Sequence, residues 1–114
     1  MEITISRRNV DDIKILDCSG KIVLGQGTMT IRNMVRDIIT AGGKKIILNL
    51  ADVSYVDSSG IGELVSTYTT VTSSGGQLKL LNLTKKIEQL LVITKLLTVL
   101  QVFDDEQAAI ASFN

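Results

Sequence analysis

The sequence predicts a single α/β domain, residues 1–114, built on a mixed β-sheet of four or five strands with about four helices. Three observations lead there. The length of 114 residues suits one domain able to bury one core. Two successive strand patterns are followed by strand–helix alternation. Glycine, in a chain with no proline, punctuates the ends of the periodic segments.

Taken in order, Ile3 and Ile5 alternate with polar neighbours, and Ile13-Lys14-Ile15-Leu16-Asp17-Cys18 follows the polar Asn9-Val10-Asp11-Asp12. This is the pattern of a two-strand hairpin, with Gly20 closing the second strand. From Thr28 to Ala41, Ile31, Met34, Val35, Ile38 and Ile39 make one stripe of an amphipathic helix, stopped by Gly42 and Gly43. Ile46-Ile47-Leu48-Asn49-Leu50 is nearly continuous in apolar character, as expected of a strand covered on both faces in mid-sheet. A second helix begins near Ser58, carries Ile61, Leu64, Val65 and Tyr68 inward, and ends before Gly75-Gly76. Leu78-Lys79-Leu80-Leu81-Asn82 is the next strand; Thr84 then caps a helix carrying Ile87, Leu90 and Leu91. Val99 to Phe103 is a last strand, and Asp104 with Gln107 opens a terminal helix through Ala108, Ile110, Ala111 and Phe113.

Composition narrows the function. Apolar residues are 45% and charged ones 21%, ordinary globular usage. Twelve Lys/Arg balance twelve Asp/Glu, with no basic tract, so the electrostatic footprint of a nucleic-acid binder is missing. Histidine is absent, which removes the commonest general base and the usual Ser-His-Asp and Cys-His arrangements. The single cysteine, Cys18, excludes an intrachain disulfide and a multi-cysteine metal site; it reads as a small apolar group in a reducing compartment. The first residues lack the apolar stretch of a signal peptide, and Leu90 to Val102, the most apolar segment, is too short for a span and contains Lys95. A cytoplasmic chain without membrane insertion or a cofactor is the expectation.

The segment between the central strand and the second helix carries a sharper signal: Ala51-Asp52-Val53-Ser54-Tyr55-Val56-Asp57-Ser58-Ser59-Gly60-Ile61-Gly62-Glu63-Leu64. Read as a loop from a strand's carboxyl end into a helix, it should turn some of the amides of residues 59 to 62 outward, where the helix dipole adds about half a positive charge. Gly60 and Gly62 would let a partner approach closely. Spacing alone leaves open a plainer reading, in which Asp57, Ser58 or Ser59 is only an N-cap. Asp52 and Asp57 lack the alternate acidic spacing of a calcium loop. Neither Gly25-Gln26-Gly27 nor Gly42-Gly43-Lys44-Lys45 fits a Walker loop, and no base exists to activate Ser58 as an enzymatic nucleophile.

Val56-Asp57-Ser58-Ser59-Gly60-Ile61-Gly62 resembles the signature of anti-sigma factor antagonists, the bacterial group within the STAS (sulfate transporter and anti-sigma factor antagonist) domains. The resemblance extends to Ile46–Leu50 with Asp52-Val53-Ser54-Tyr55, to Gly75-Gly76-Gln77-Leu78-Lys79-Leu80, and to Val102-Phe103-Asp104 with Glu106 and Ala108. It implies a STAS-like fold and a non-enzymatic regulator of sigma-factor-dependent transcription. It also implies that Ser58 is phosphorylated by a partner that is both anti-sigma factor and serine kinase, that this breaks the complex, and that a PP2C-type phosphatase resets it. Ser59 is then a structural cap and a secondary acceptor. The implied partner-binding set is Asp57, Ser58, Ser59, Gly60, Ile61 and Gly62, with Lys21 and Gln26 flanking them.

One stretch departs from the pattern. Where many such antagonists carry Gly-Glu-hydrophobic-Asp after the second strand, this chain has Gly20-Lys21-Ile22-Val23; both acidic positions are lost and Lys21 makes the neighbourhood more positive. A rival reading keeps the fold but makes the chain a constitutive scaffold or accessory subunit, stressosome-like or lipid-transport-like, with Ser58 only a helix cap. A third places a small molecule or nucleotide at the same helix start. Arg32, Arg36, Lys85 and Lys86 read as solvated helix faces, and Tyr55 as either a core cover or an interface aromatic.

Overall fold

In the computed structural model, which describes residues 3–113, the elements run β1 (Thr4–Val10), β2 (Ile13–Ile22), α1 (Gln26–Thr40), β3 (Lys45–Val56), α2 (Ser58–Ser73), β4 (Gln77–Leu81), α3 (Lys85–Ile93), β5 (Gln101–Phe103) and α4 (Glu106–Ala111). They form one five-stranded sheet in the order β1-β2-β3-β4-β5. The hairpin β1–β2 is antiparallel and the other pairs are parallel, so the sheet is mixed, as predicted. Its turn places Asp11 at φ 54°, a left-handed conformation that aspartate tolerates better than most residues.

Because the parallel strands follow one another in sequence order, successive crossovers of one hand place their helices on one face. Ile31, Val35 and Ile38 of α1, Ile61, Leu64 and Val71 of α2, and Ile87 and Leu91 of α3 meet Leu16, Leu48 and Leu80 there in one continuous core. Among the described residues the opposite face carries α4 alone. Ala109 and Phe113 cover Ile13, Ile15, Ile47 and Leu81 in a second, smaller cluster.

Several boundaries differ from the sequence reading. β2 does not end at Gly20: that residue adopts φ 108° at a register shift, and the strand continues to Ile22. A glycine that reads as a terminator is here a bulge. α1 opens at Gln26 rather than Thr28, because Gly25, at φ 100°, supplies the N-cap with no side chain to advertise it. β5 covers only Gln101–Phe103, Val99 lying in the turn before it. Asp105, not Asp104, caps α4 by accepting the Ala108 amide at 2.9 Å.

The largest difference concerns β3. Ala51 to Val56, read as loop, belong to the strand. They pair with the end of β2 up to Ile22↔Val56, whereas β4 accompanies β3 only as far as Asn49↔Leu81. β3 therefore overhangs its other neighbour, and the α2 start sits beyond that overhang.

Candidate functional site

The strand-to-helix connection is the single residue Asp57. Its backbone is extended at φ −97°, and its side chain accepts the Gly60 amide at 2.8 Å, which makes it the N-cap of α2. Its other carboxylate oxygen accepts the Leu24 amide at 3.4 Å, reaching across to the β2–α1 loop. The Asp57 amide in turn donates to the Ile22 carbonyl at 3.4 Å. One short residue thus links two adjacent loops and leaves little freedom at the helix start.

Gly60 explains why that start is so close to β2. A Cβ on it would lie 2.2 Å from the Ile22 carbonyl oxygen and 2.8 Å from a Val56 methyl. The sequence reading had Gly60 clearing the way for a partner; instead it is buried and clears the way for the chain's own strand. Gly62 is the open one: it is exposed, and nothing lies within 4 Å of the position its Cβ would take. Ile61 is buried in the main core, so of the motif's apolar groups it serves packing.

Ser58 is exposed and Ser59 half-buried. The expected cap role of Ser59 falls to Asp57. The expected outward amides of residues 59 to 62 are also shifted. Gly60 donates to the cap side chain and Ile61 to the Asp57 carbonyl at 3.0 Å, so the start of the helix leaves the Ser58 and Ser59 amides as its free donors. A hydroxyl at the first helical position, in the positive end of a 16-residue helix, can accept a negative group without loss of helix geometry.

Lys21 and Gln26 are exposed, Lys21 standing as the register partner of Tyr55 on β3. Tyr55, Val56, Asp57, Ser58, Ile61, Lys86, Leu90 and Thr94 surround a recess of about 470 Å³ between the α2 start and α3. Tyr55 is exposed, and the Lys86 ammonium stands 5.8 Å from its ring centroid.

Two cations read as solvated have partners. Lys86 is the first; Arg32 is the second, paired at 2.6 Å with Glu63, whose side chain is 3% exposed and also accepts from the Thr67 hydroxyl at 3.1 Å. Nothing local in the sequence joins residues 32 and 63; only the α1–α2 packing does. Cys18 is buried, its thiol pushed up to about 12 by desolvation and the Asp17 charge, which makes it inert. Among the described residues no group of His, Cys, Asp and Glu forms a metal site, and no helix is long and apolar enough to cross a membrane.

Fold and site together define a small α/β domain that presents a capped helix start, with a free hydroxyl, at the carboxyl end of its sheet. Residues 4–109 match the STAS domain, and the chain belongs to that family. The anti-sigma-B factor antagonist of Bacillus subtilis is 31% identical over 96 residues, which span 84% of this chain and 85% of that protein. The crystal structure of the Thermotoga maritima protein TM1081 shares the fold with a TM-score of 0.87 at 28% identity, over 95% of this chain and 92% of that one. Bacillus SpoIIAA, solved in its phosphorylated form, shares it with a TM-score of 0.75 at 20% identity, over 97% of this chain and 100% of that one.

Proposed function

We propose that this chain is a cytoplasmic, non-enzymatic anti-sigma factor antagonist that binds an anti-sigma factor serine kinase and is released from it by phosphorylation at Ser58, with a PP2C-type phosphatase restoring the binding form. The observation that carries the reading is the exposed Ser58 hydroxyl, one residue past the Asp57 cap, on a helix start seated firmly enough to keep its shape when charged. Relatives named as antagonists of anti-sigma factors support the same role.

The energetics suit a switch. A phosphate brings a charge of about −1.5 to −2 and three acceptor oxygens. On the free domain it meets solvent and a favourable dipole. Within an interface that lacks a matching cation it costs several kcal/mol, and about 4 kcal/mol is roughly a thousandfold in affinity. Asp57, Ser59 and Gly62 border the acceptor and complete the contact surface with Lys21 and Gln26, while Gly60 and Ile61 hold that surface in place from beneath.

Co-expression with an anti-sigma factor kinase from the same genome, followed by mass spectrometry, should place the phosphate on Ser58. Ser58→Ala should bind that kinase constitutively and Ser58→Asp at least tenfold more weakly. Equal affinity of the two variants would refute the switch and favour a constitutive scaffold.

A further inference from the structure

We propose that Lys86 is the internal counter-cation of the phosphorylated form: with a phosphate on Ser58, its ammonium leaves the Tyr55 ring and pairs with the phosphate across the recess. The inference rests on the reading of Ser58 as phosphoacceptor and adds a residue outside the signature motif. Three observations carry it.

The first is placement. Ser58 and Lys86 line the same recess of about 470 Å³ from opposite walls, α2 and α3. The second is the present occupation of the ammonium. It lies 5.8 Å from the Tyr55 centroid, and at an exposed ring this is a weak contact that a charge-assisted bond to a dianion outcompetes. The third is the local charge. Tyr55, Asp57 and Lys86 are the ionisable side chains lining the recess, and both Asp57 oxygens already accept backbone amides. That carboxylate stays where it is and repels an incoming phosphate, so a cation on the facing wall is what offsets it. Lys21, the register partner of Tyr55, adds positive charge from the β2 side.

The consequence is a phosphorylated surface that is partly self-neutralised. On the free domain this offset adds to the helix dipole, so the modified domain keeps its fold.

The test needs no kinase. Phosphoserine inserted at position 58 during translation gives a phosphorus resonance whose pH titration reports the second ionisation of the phosphate. Lys86→Met should raise that midpoint by about half a unit, roughly threefold in proton affinity, because the dianion loses its nearby cation. Lys86→Arg should keep the parent midpoint. Lys44→Met, which removes the same charge beside Ser74 at the opposite end of α2, should also leave it unchanged. Lys86 is exposed, so these variants keep the fold. An unchanged midpoint in Lys86→Met overturns the proposal. A kinase that modifies some other residue would overturn the Ser58 reading while leaving the measured Lys86–phosphate contact intact, so the two failures are distinguishable.

Discussion

The face of the sheet that carries α1, α2 and α3 and the face that carries α4 are made by the same strands but held by different forces. On the first, leucine, isoleucine and valine from three helices and the three central strands interlock with little polar intrusion. On the second, Ala109 and Ile110 of α4, with Phe113 just past it, make a smaller apolar contact, and polar links add to it. The Arg8 guanidinium bridges Asp17 at 2.6 Å and Glu106 at 2.7 Å, tying β1 to β2 and to α4. Asn49 donates to Asp17 at 2.8 Å and Asn82 to Asn49 at 3.3 Å, carrying the chain of contacts across to the end of β4. The buried Lys79 ammonium lies 5.0 Å from the Phe113 ring and 5.9 Å from that of Phe103, and bonds Gln101. The Ser58 site is built entirely on the apolar layer. That helix start therefore stands on the part of the molecule with the most buried hydrocarbon beneath it.

Substitutions on the two faces test that contrast. Leu48→Ala, at a fully buried position under the three helices, should cost about 2–5 kcal/mol by urea unfolding. Phe113→Ala, although the larger truncation, should cost less, since the short α4 can shift to fill the space. Equal losses would mean that the two faces are equivalent. Next in size is a pair of glycines in the same helix turn. Gly60→Ala forces a methyl into the Ile22 carbonyl and should destabilise by about 1–3 kcal/mol. Gly62→Ala meets open space and should stabilise by up to about 1 kcal/mol through helix propensity.

A smaller effect is the pH dependence of the polar face. The Arg8 hydrogen bond, with help from Asn49, holds the Asp17 carboxyl below its ordinary value. The folded state therefore binds that proton less tightly than the unfolded chain does. The stabilisation is fully present above the unfolded pKa of about 3.9 and is lost as pH falls through the depressed folded value. With a third of the side chain exposed, it should amount to about 1 kcal/mol or less. In thermal melts Asp17→Asn should be less stable than the parent at pH 7, the two converging toward pH 2. A constant gap would place the loss in packing instead.

The smallest effect belongs to Lys79, whose pKa is lowered by desolvation. Between the folded and unfolded values the unfolded chain binds more protons, so this group's contribution to stability rises with pH there and is most unfavourable below the lowered folded value. Lys79→Met should fall within about 1 kcal/mol of the parent at pH 7, and any advantage it has should shrink above about pH 10.

The elements with strong local signals were legible in the residues. The apolar stripe of α1 and the stop at Gly42, with φ 94°, are where periodicity and glycine placement put them. Asp57 was one of three capping candidates within three consecutive residues, and choosing among them required knowing which oxygen reaches the Gly60 amide. The extension of β3 was hidden because its register with β2 shifts at two points, and the bulges break the alternation by which a strand is recognised. Gly60 and Gly62 are indistinguishable in sequence, yet one meets a neighbouring strand and the other open space. Lys86 beside Tyr55 and Arg32 beside Glu63 join distant parts of the chain, and no spacing rule foresees them.

The mismatch in length between β3 and β4 has a consequence for every chain built on this plan. Because the longer strand projects past its neighbour, the ground beside Ser58 is left for whatever α3 supplies, and here that is Lys86 and Leu90. Two proteins with an identical seven-residue signature would therefore give that serine different surroundings if their fourth strands differed by a few residues. The character of that ground is then set as much by where a strand stops as by the residues around the serine.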